Sequence, residues 1–105
     1  MIKYPMAFIE AAKLSDLKIG NAKHVKVKNK EIAIYNVNGK IYATDNACLH
    51  HKGPLGEGQL NNNIISCPWH GWQYDITNGN CNTVPGLKLK TYKVKIDKEK
   101  IMIDI

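Results

Sequence analysis

Cys48-Leu49-His50-His51-Lys52-Gly53-Pro54-Leu55-Gly56 and Cys67-Pro68-Trp69-His70-Gly71-Trp72 are the two stretches from which the rest of this chain can be read. Each offers one thiol and one imidazole, Cys48 with His50 and Cys67 with His70, and sixteen residues separate the two pairs. Each pair is set among glycine and proline, residues that make the short, stiff turns needed to hold side chains at a loop tip. Cys and His are the ordinary soft and borderline ligands of transition metals. A zinc finger, however, pairs Cys with Cys and then His with His, whereas here each cluster carries one of each.

Working outward, the sequence on both sides alternates with period two. Val25 and Val27 oppose His24, Lys26 and Lys28; Ile32 and Ile34 oppose Glu31 and Ala33; Ile41 and Ala43 oppose Tyr42 and Thr44. Near the end, Tyr92, Val94 and Ile96 oppose Lys93 and Lys95, and Ile101, Ile103 and Ile105 oppose Met102 and Asp104. This is the pattern of half-buried strands. Asn38-Gly39 lies between two of them and predicts a tight hairpin. Asn78-Gly79 and Asp97-Lys98-Glu99 mark further turns, and Ser15 to Gly20 another. Phe8 to Leu14 reads as a first strand, and Gln59-Leu60-Asn61-Asn62-Asn63 as the connection of a short hairpin between the two ligand loops. The fold class is all-β.

The chain has 105 residues, the size of one domain, with a core that a metal group would reinforce. Met1 to Phe8 contain no apolar export segment, and no window approaches the roughly 18 apolar residues of a membrane span. A cytoplasmic protein without membrane insertion is expected. Three cysteines suit that compartment: two belong to the clusters, and Cys81, with no partner, is expected to be a small buried apolar side chain. The net charge of +6 comes from 15 lysines and no arginine. Those lysines alternate with apolar residues along strands instead of gathering in a patch. The residue that makes bidentate contacts to guanine and phosphate is missing, so no nucleic-acid partner is expected.

The order Cys-x-His … Cys-x-x-His resembles the Rieske motif, and the resemblance extends over most of the chain. It implies an antiparallel β-sandwich with a cluster-binding subdomain, about residues 47–72, inserted in a single domain spanning 1–105. It implies one [2Fe-2S] cluster per chain, with Cys48 and Cys67 on one iron and His50 and His70 on the other. His51, the neighbour of His50, is expected on the opposite side of an extended backbone, either supporting the ligands from outside or as a surface group. His24 is expected on a solvated strand face. Gly53 and Trp69 stand where respiratory relatives carry two cross-linking cysteines, so the chain resembles the ferredoxin branch. Trp72 stands where those relatives place a serine that donates to a bridging sulfide. A hydrogen bond to a charged group contributes roughly 1.5–3 kcal/mol. Its loss points toward the low end of the Rieske range, roughly −150 mV. Tyr74 stands where high-potential relatives have a tyrosine bonded to a cysteine sulfur, and fits equally an aromatic plug beneath the cluster. Lys52 replaces a glycine usual two residues after the first histidine.

No second iron site, nucleotide loop or oxygenase domain accompanies the motif, so the chain is read as no enzyme by itself. The resemblance implies a monomeric one-electron carrier between a reductase and an acceptor such as an oxygenase. From the positive charge, the partners' docking surfaces are expected to be acidic and to meet the protein near His50 and His70. The alternative is a non-catalytic small subunit of a larger redox complex, of the nitrite reductase type.

Overall fold

The computed structural model describes residues 8–105. The reading of Met1 to Ala7 as free of an export segment lies outside the described residues. These form ten strands in three antiparallel sheets. The first sheet has the order β1-β10-β9, from Phe8–Lys13, Lys100–Asp104 and Val94–Asp97. The second has the order β2-β3-β4-β8, from Ala22–Val27, Lys30–Val37, Lys40–Asp45 and Thr91–Tyr92. The third joins β5, β6 and β7, from Gln59–Asn61, Ile64–Ser66 and Gln73–Asp75. No helix among the described residues is long and apolar enough to cross a membrane.

The expected sandwich is present, with a third layer on it. Strand β3 explains why. Ile32 and Ile34 point into a core shared with Leu17, Ile41, Ile101 and Ile103. Ala33 and Tyr35, on the opposite face, point into a second core with Leu55, Ile65, Tyr74 and Leu89. The alternation had predicted one buried and one wet face for β3. Instead both are covered, because the ligand-loop subdomain packs on the face that carries Ala33 and Tyr35. Full burial of an Ile side chain contributes roughly 1.5–3 kcal/mol, so β3 fastens both cores at once.

Turn chemistry fixes the register of the middle sheet. Asn38 and Gly39 adopt φ of 54° and 95°, the mirror-image turn that matches strand twist. Asn36 closes it, its side-chain carbonyl accepting from the Gly39 N–H and its amide donating to Leu17 O, each at 2.8 Å.

Two sequence readings change. The stretch Gln59–Asn63 is not all connection: Gln59–Asn61 pairs with Ile64–Ser66 as a strand, leaving Asn62-Asn63 as the turn. The predicted continuous strand through Tyr92, Val94 and Ile96 divides at Lys93. Tyr92 pairs with Ala43 in the middle sheet, whereas Val94 and Ile96 pair with Ile103 and Ile101 in the first. Val94 and Ile96 keep the face of their partners Ile103 and Ile101, and Ile96, on the edge strand of that sheet, is 46% exposed.

Candidate metal centre

Backbone hydrogen bonds curl both ligand loops into tight turns. In the first, Cys48 N–H donates to Gly53 O and Lys52 N–H donates to Cys48 O. In the second, Gly71 N–H donates to Cys67 O and Cys67 N–H donates to Trp72 O, with Gly71 at φ 77°. Each turn sorts its donors the same way. The thiols of Cys48 and Cys67 are buried at its base, and the imidazoles of His50 and His70 are exposed at its tip. The two rings meet with centroids 4.8 Å apart, nearly perpendicular at 80°. Cys48 and Cys67 lie within hydrogen-bond reach of each other.

The thiols are surrounded by donors. Burial pushes the Cys67 thiol above its usual range, opposed by the backbone N–H groups of Trp69 and His70 aimed at its sulfur. The Tyr74 hydroxyl stands 3.2 Å from Cys48 Sγ and accepts from Leu49 N–H at 2.9 Å. A cysteine that has given up its proton can only accept, so toward a Cys48 thiolate the phenol O–H is the donor. Of the two roles open to Tyr74, the structure therefore has both: its ring is fully buried beneath the loops and its hydroxyl reaches the sulfur. Gly53 leaves room for the second thiol, since a Cβ built there would fall 2.6 Å from Cys67 Sγ and 3.1 Å from the Trp69 ring.

His51 does not lie opposite His50. Because residues 48–53 form a turn instead of an extended segment, the His51 ring comes to 3.9 Å from His50 and 5.1 Å from His70. His50 is held below the usual imidazole range, by desolvation first and then by the neighbouring His51 and His70. His24 sits on an exposed strand face, as expected, bonded to Glu31 across the β2–β3 pair. Cys81 is buried and free, accepting from Val84 N–H at 3.3 Å.

Two features were missed. Trp72 does more than lack a hydroxyl: its indole stacks on His50 with centroids 4.5 Å apart and planes 10° from parallel. The glycine before it was the available signal, because Gly71 turns the chain so that residue 72 faces back toward the first loop. Charge is the second. Between Asn46 and Tyr74 the only formally charged residues are Lys52 and Glu57, and every other lysine lies outside this span. The tip instead exposes Leu49 and Trp69, at 44% and 58%.

The family model of the Rieske [2Fe-2S] domain matches residues 7–93. Among curated proteins, the chain is 41% identical over 99 residues to the ferredoxin component of a naphthalene 1,2-dioxygenase system from Pseudomonas putida, covering 93% of this chain and 95% of the relative. Among solved structures it superposes on a Sphingomonas yanoikuyae B1 ferredoxin with a TM-score of 0.86 at 32% identity, covering 94% of this chain and 99% of the other. The ferredoxin of carbazole 1,9a-dioxygenase from Nocardioides aromaticivorans IC177 superposes with a TM-score of 0.86 at 26% identity, covering 93% and 97%.

Proposed function

Because this chain belongs to the Rieske [2Fe-2S] domain family, with one [2Fe-2S] cluster per chain, we propose that it carries single electrons from a reductase to an oxygenase. In this reading Cys48 and Cys67 hold one iron and His50 and His70 the other. The observation that carries it is the sorting of donors: two thiols buried side by side, two imidazoles exposed side by side. The residues fit such a group. The donors pair by type, N–H and O–H groups are aimed at both sulfurs, and Gly53 keeps the space beside Cys67 clear. When bound, the cluster would supply one-electron redox chemistry.

The chain's own residues do the rest. The buried cysteines and Tyr74 exclude water from the sulfur side, and the hydrogen bonds to sulfur favour the more negative, reduced state. The exposed imidazole edges bring the redox group to the surface, where a partner can approach it closely. The carrier reading is favoured over a fixed subunit by relatives of nearly the same length that are named ferredoxin components of dioxygenase systems.

We read the protein as a cytoplasmic monomer that meets its partners tip first. The contact there is made by Leu49, Trp69 and the imidazoles, and not by a basic patch. An acidic partner surface would be attracted by the lysines outside the loops, so salt should slow association while leaving dissociation nearly unchanged. Stopped-flow electron transfer to an oxygenase component across a salt series checks this, and a salt-accelerated dissociation would move the charged contact to the tip.

The deciding experiment is an EPR-monitored redox titration of the purified protein. A Rieske-type signal near the low end of the family's range is expected, together with reduction of an aromatic-ring dioxygenase by the reduced protein. A protein that binds iron without that signal would overturn the ligand assignment.

A further inference from the structure

Trp72 and His50 sit on different loops, joined only through the intervening hairpin, yet their rings lie face to face. The platform is firm on the tryptophan side. The Trp72 carbonyl accepts from Cys67 N–H at 2.8 Å, and the indole packs half-buried against the core that contains Leu55, Ile65 and Tyr74. The histidine side has no comparable anchor: His50 is exposed, and among the described residues no side-chain hydrogen bond fixes its ring. The neighbouring imidazoles of His51 and His70 meet it edge-on or at wide angles, so the indole is the one surface parallel to it. A second tryptophan joins the same two loops, because Gly53 of the first lies directly against the Trp69 ring of the second. Gly53 and Trp69 are the positions where the resemblance would put cross-linking cysteines.

We propose that Trp72 is a positioning residue for His50. Its indole holds the imidazole plane across the gap between the two loops, so that the ring is already aligned when it takes up iron and is slow to swing away. The inference rests on the reading of His50 as a cluster ligand. Offset stacking of two aromatic rings adds stability beyond the area it buries, and pre-alignment lowers the entropy lost when the ligand is fixed.

The test is the rate of cluster loss from the purified holoprotein in excess chelator, followed by visible absorbance, with the EPR line shape recorded on the same samples. Trp72→Leu should lose its cluster about 2- to 12-fold faster, the range that one aromatic pair supplies, and should broaden the signal through a less uniform histidine. Trp72→Phe, which keeps a flat ring, should restore both. If the leucine variant does not fold, Trp72→Met serves as the aliphatic partner of the comparison. Equal loss rates for the Leu and Phe variants would overturn the proposal, since a merely space-filling role does not distinguish a ring from an aliphatic chain of similar bulk. A His50→Cys background separates the inference from the reading beneath it. There Trp72→Leu should no longer speed cluster loss, and an undiminished effect would show that the tryptophan does not act through the His50 ring. An unaltered Rieske signal in His50→Ala would instead remove His50 from the ligand set.

Discussion

Individual residues set the electronic character of the site. The Tyr74 hydroxyl is the clearest case, because it stands 3.2 Å from Cys48 Sγ and a thiolate there can only accept its proton. A hydrogen bond to a charged acceptor is worth roughly 1.5–3 kcal/mol. At about 59 mV per tenfold change for one electron, Tyr74→Phe should lower the reduction potential by on the order of 60–130 mV if the bond acts mainly on the reduced state. Potentiometry of the variant checks this, and an unchanged potential would reduce Tyr74 to packing. Cys48→Ala and Cys67→Ala should each abolish cluster incorporation, read as loss of visible absorbance. Lys52 illustrates a different kind of local constraint. It stands at φ 60°, where its side chain crowds the following carbonyl and only glycine sits at ease. Lys52→Gly should therefore stabilise the protein by about 1 kcal/mol in urea unfolding. The departure from the family's glycine was visible in the sequence, and Lys52 takes the positive φ that a glycine adopts freely.

At the scale of elements, what could be read in advance was whatever depends on neighbours in the chain. Asn38-Gly39 announced its hairpin because both residues tolerate positive φ, and the ligand loops announced themselves by their donors and turn formers. What could not be read depends on layers brought together from afar. Alternation reports how a strand's two faces differ, and β3 is buried on both because a distant subdomain covers it. The break at Lys93 was hidden for a related reason: the apolar period continues through it while the hydrogen-bonding partner changes from β4 to β10. His51 was misplaced because the turn formers announce a turn without saying which way its backbone hydrogen bonds curl the residues between them. The last hairpin shows a turn type overriding residue preference. Lys98 and Glu99 adopt φ of 51° and 64° between β9 and β10, the same mirror-image turn that Asn38-Gly39 makes without strain. Lys98→Asn with Glu99→Gly should raise stability by about 1–2 kcal/mol. For a domain of this size each kcal/mol corresponds to roughly 4–8 °C in melting temperature, which calorimetry would detect; no rise would mean that the flanking strands, and not the turn, limit this hairpin.

Across the whole molecule, one strand ties the redox end to the sandwich. Tyr35 lies on β3 at the junction, fully buried among residues of the cluster-bearing layer, and its hydroxyl is 2.8 Å from Thr44 Oγ1 on β4. Burial pushes the Tyr35 phenol well above its usual range. The sign follows from which state binds the proton. Near the ordinary tyrosine value of about 10 the unfolded chain begins to release the Tyr35 proton while the folded chain keeps it. The contribution to stability is thus complete below that pH and is lost as pH rises above it. The slope for one such group is about 1.4 kcal/mol per pH unit. Lysines titrate in the same interval, so the decisive comparison is between the native protein and Tyr35→Phe. At neutral pH the variant should be less stable by about 1 kcal/mol, the worth of one buried hydrogen bond, because Thr44 keeps its bond to Asp45 O. Above pH 10 its stability should fall less steeply, by about 1.4 kcal/mol per unit, and the two urea-unfolding curves should cross. Because β3 serves both cores, loss of the cluster's visible absorbance should follow the same alkaline profile as loss of strand structure. Parallel slopes for the two proteins would mean that Tyr35 ionises without unfolding the layer beneath the ligand loops, and that the two ends of the molecule come apart independently.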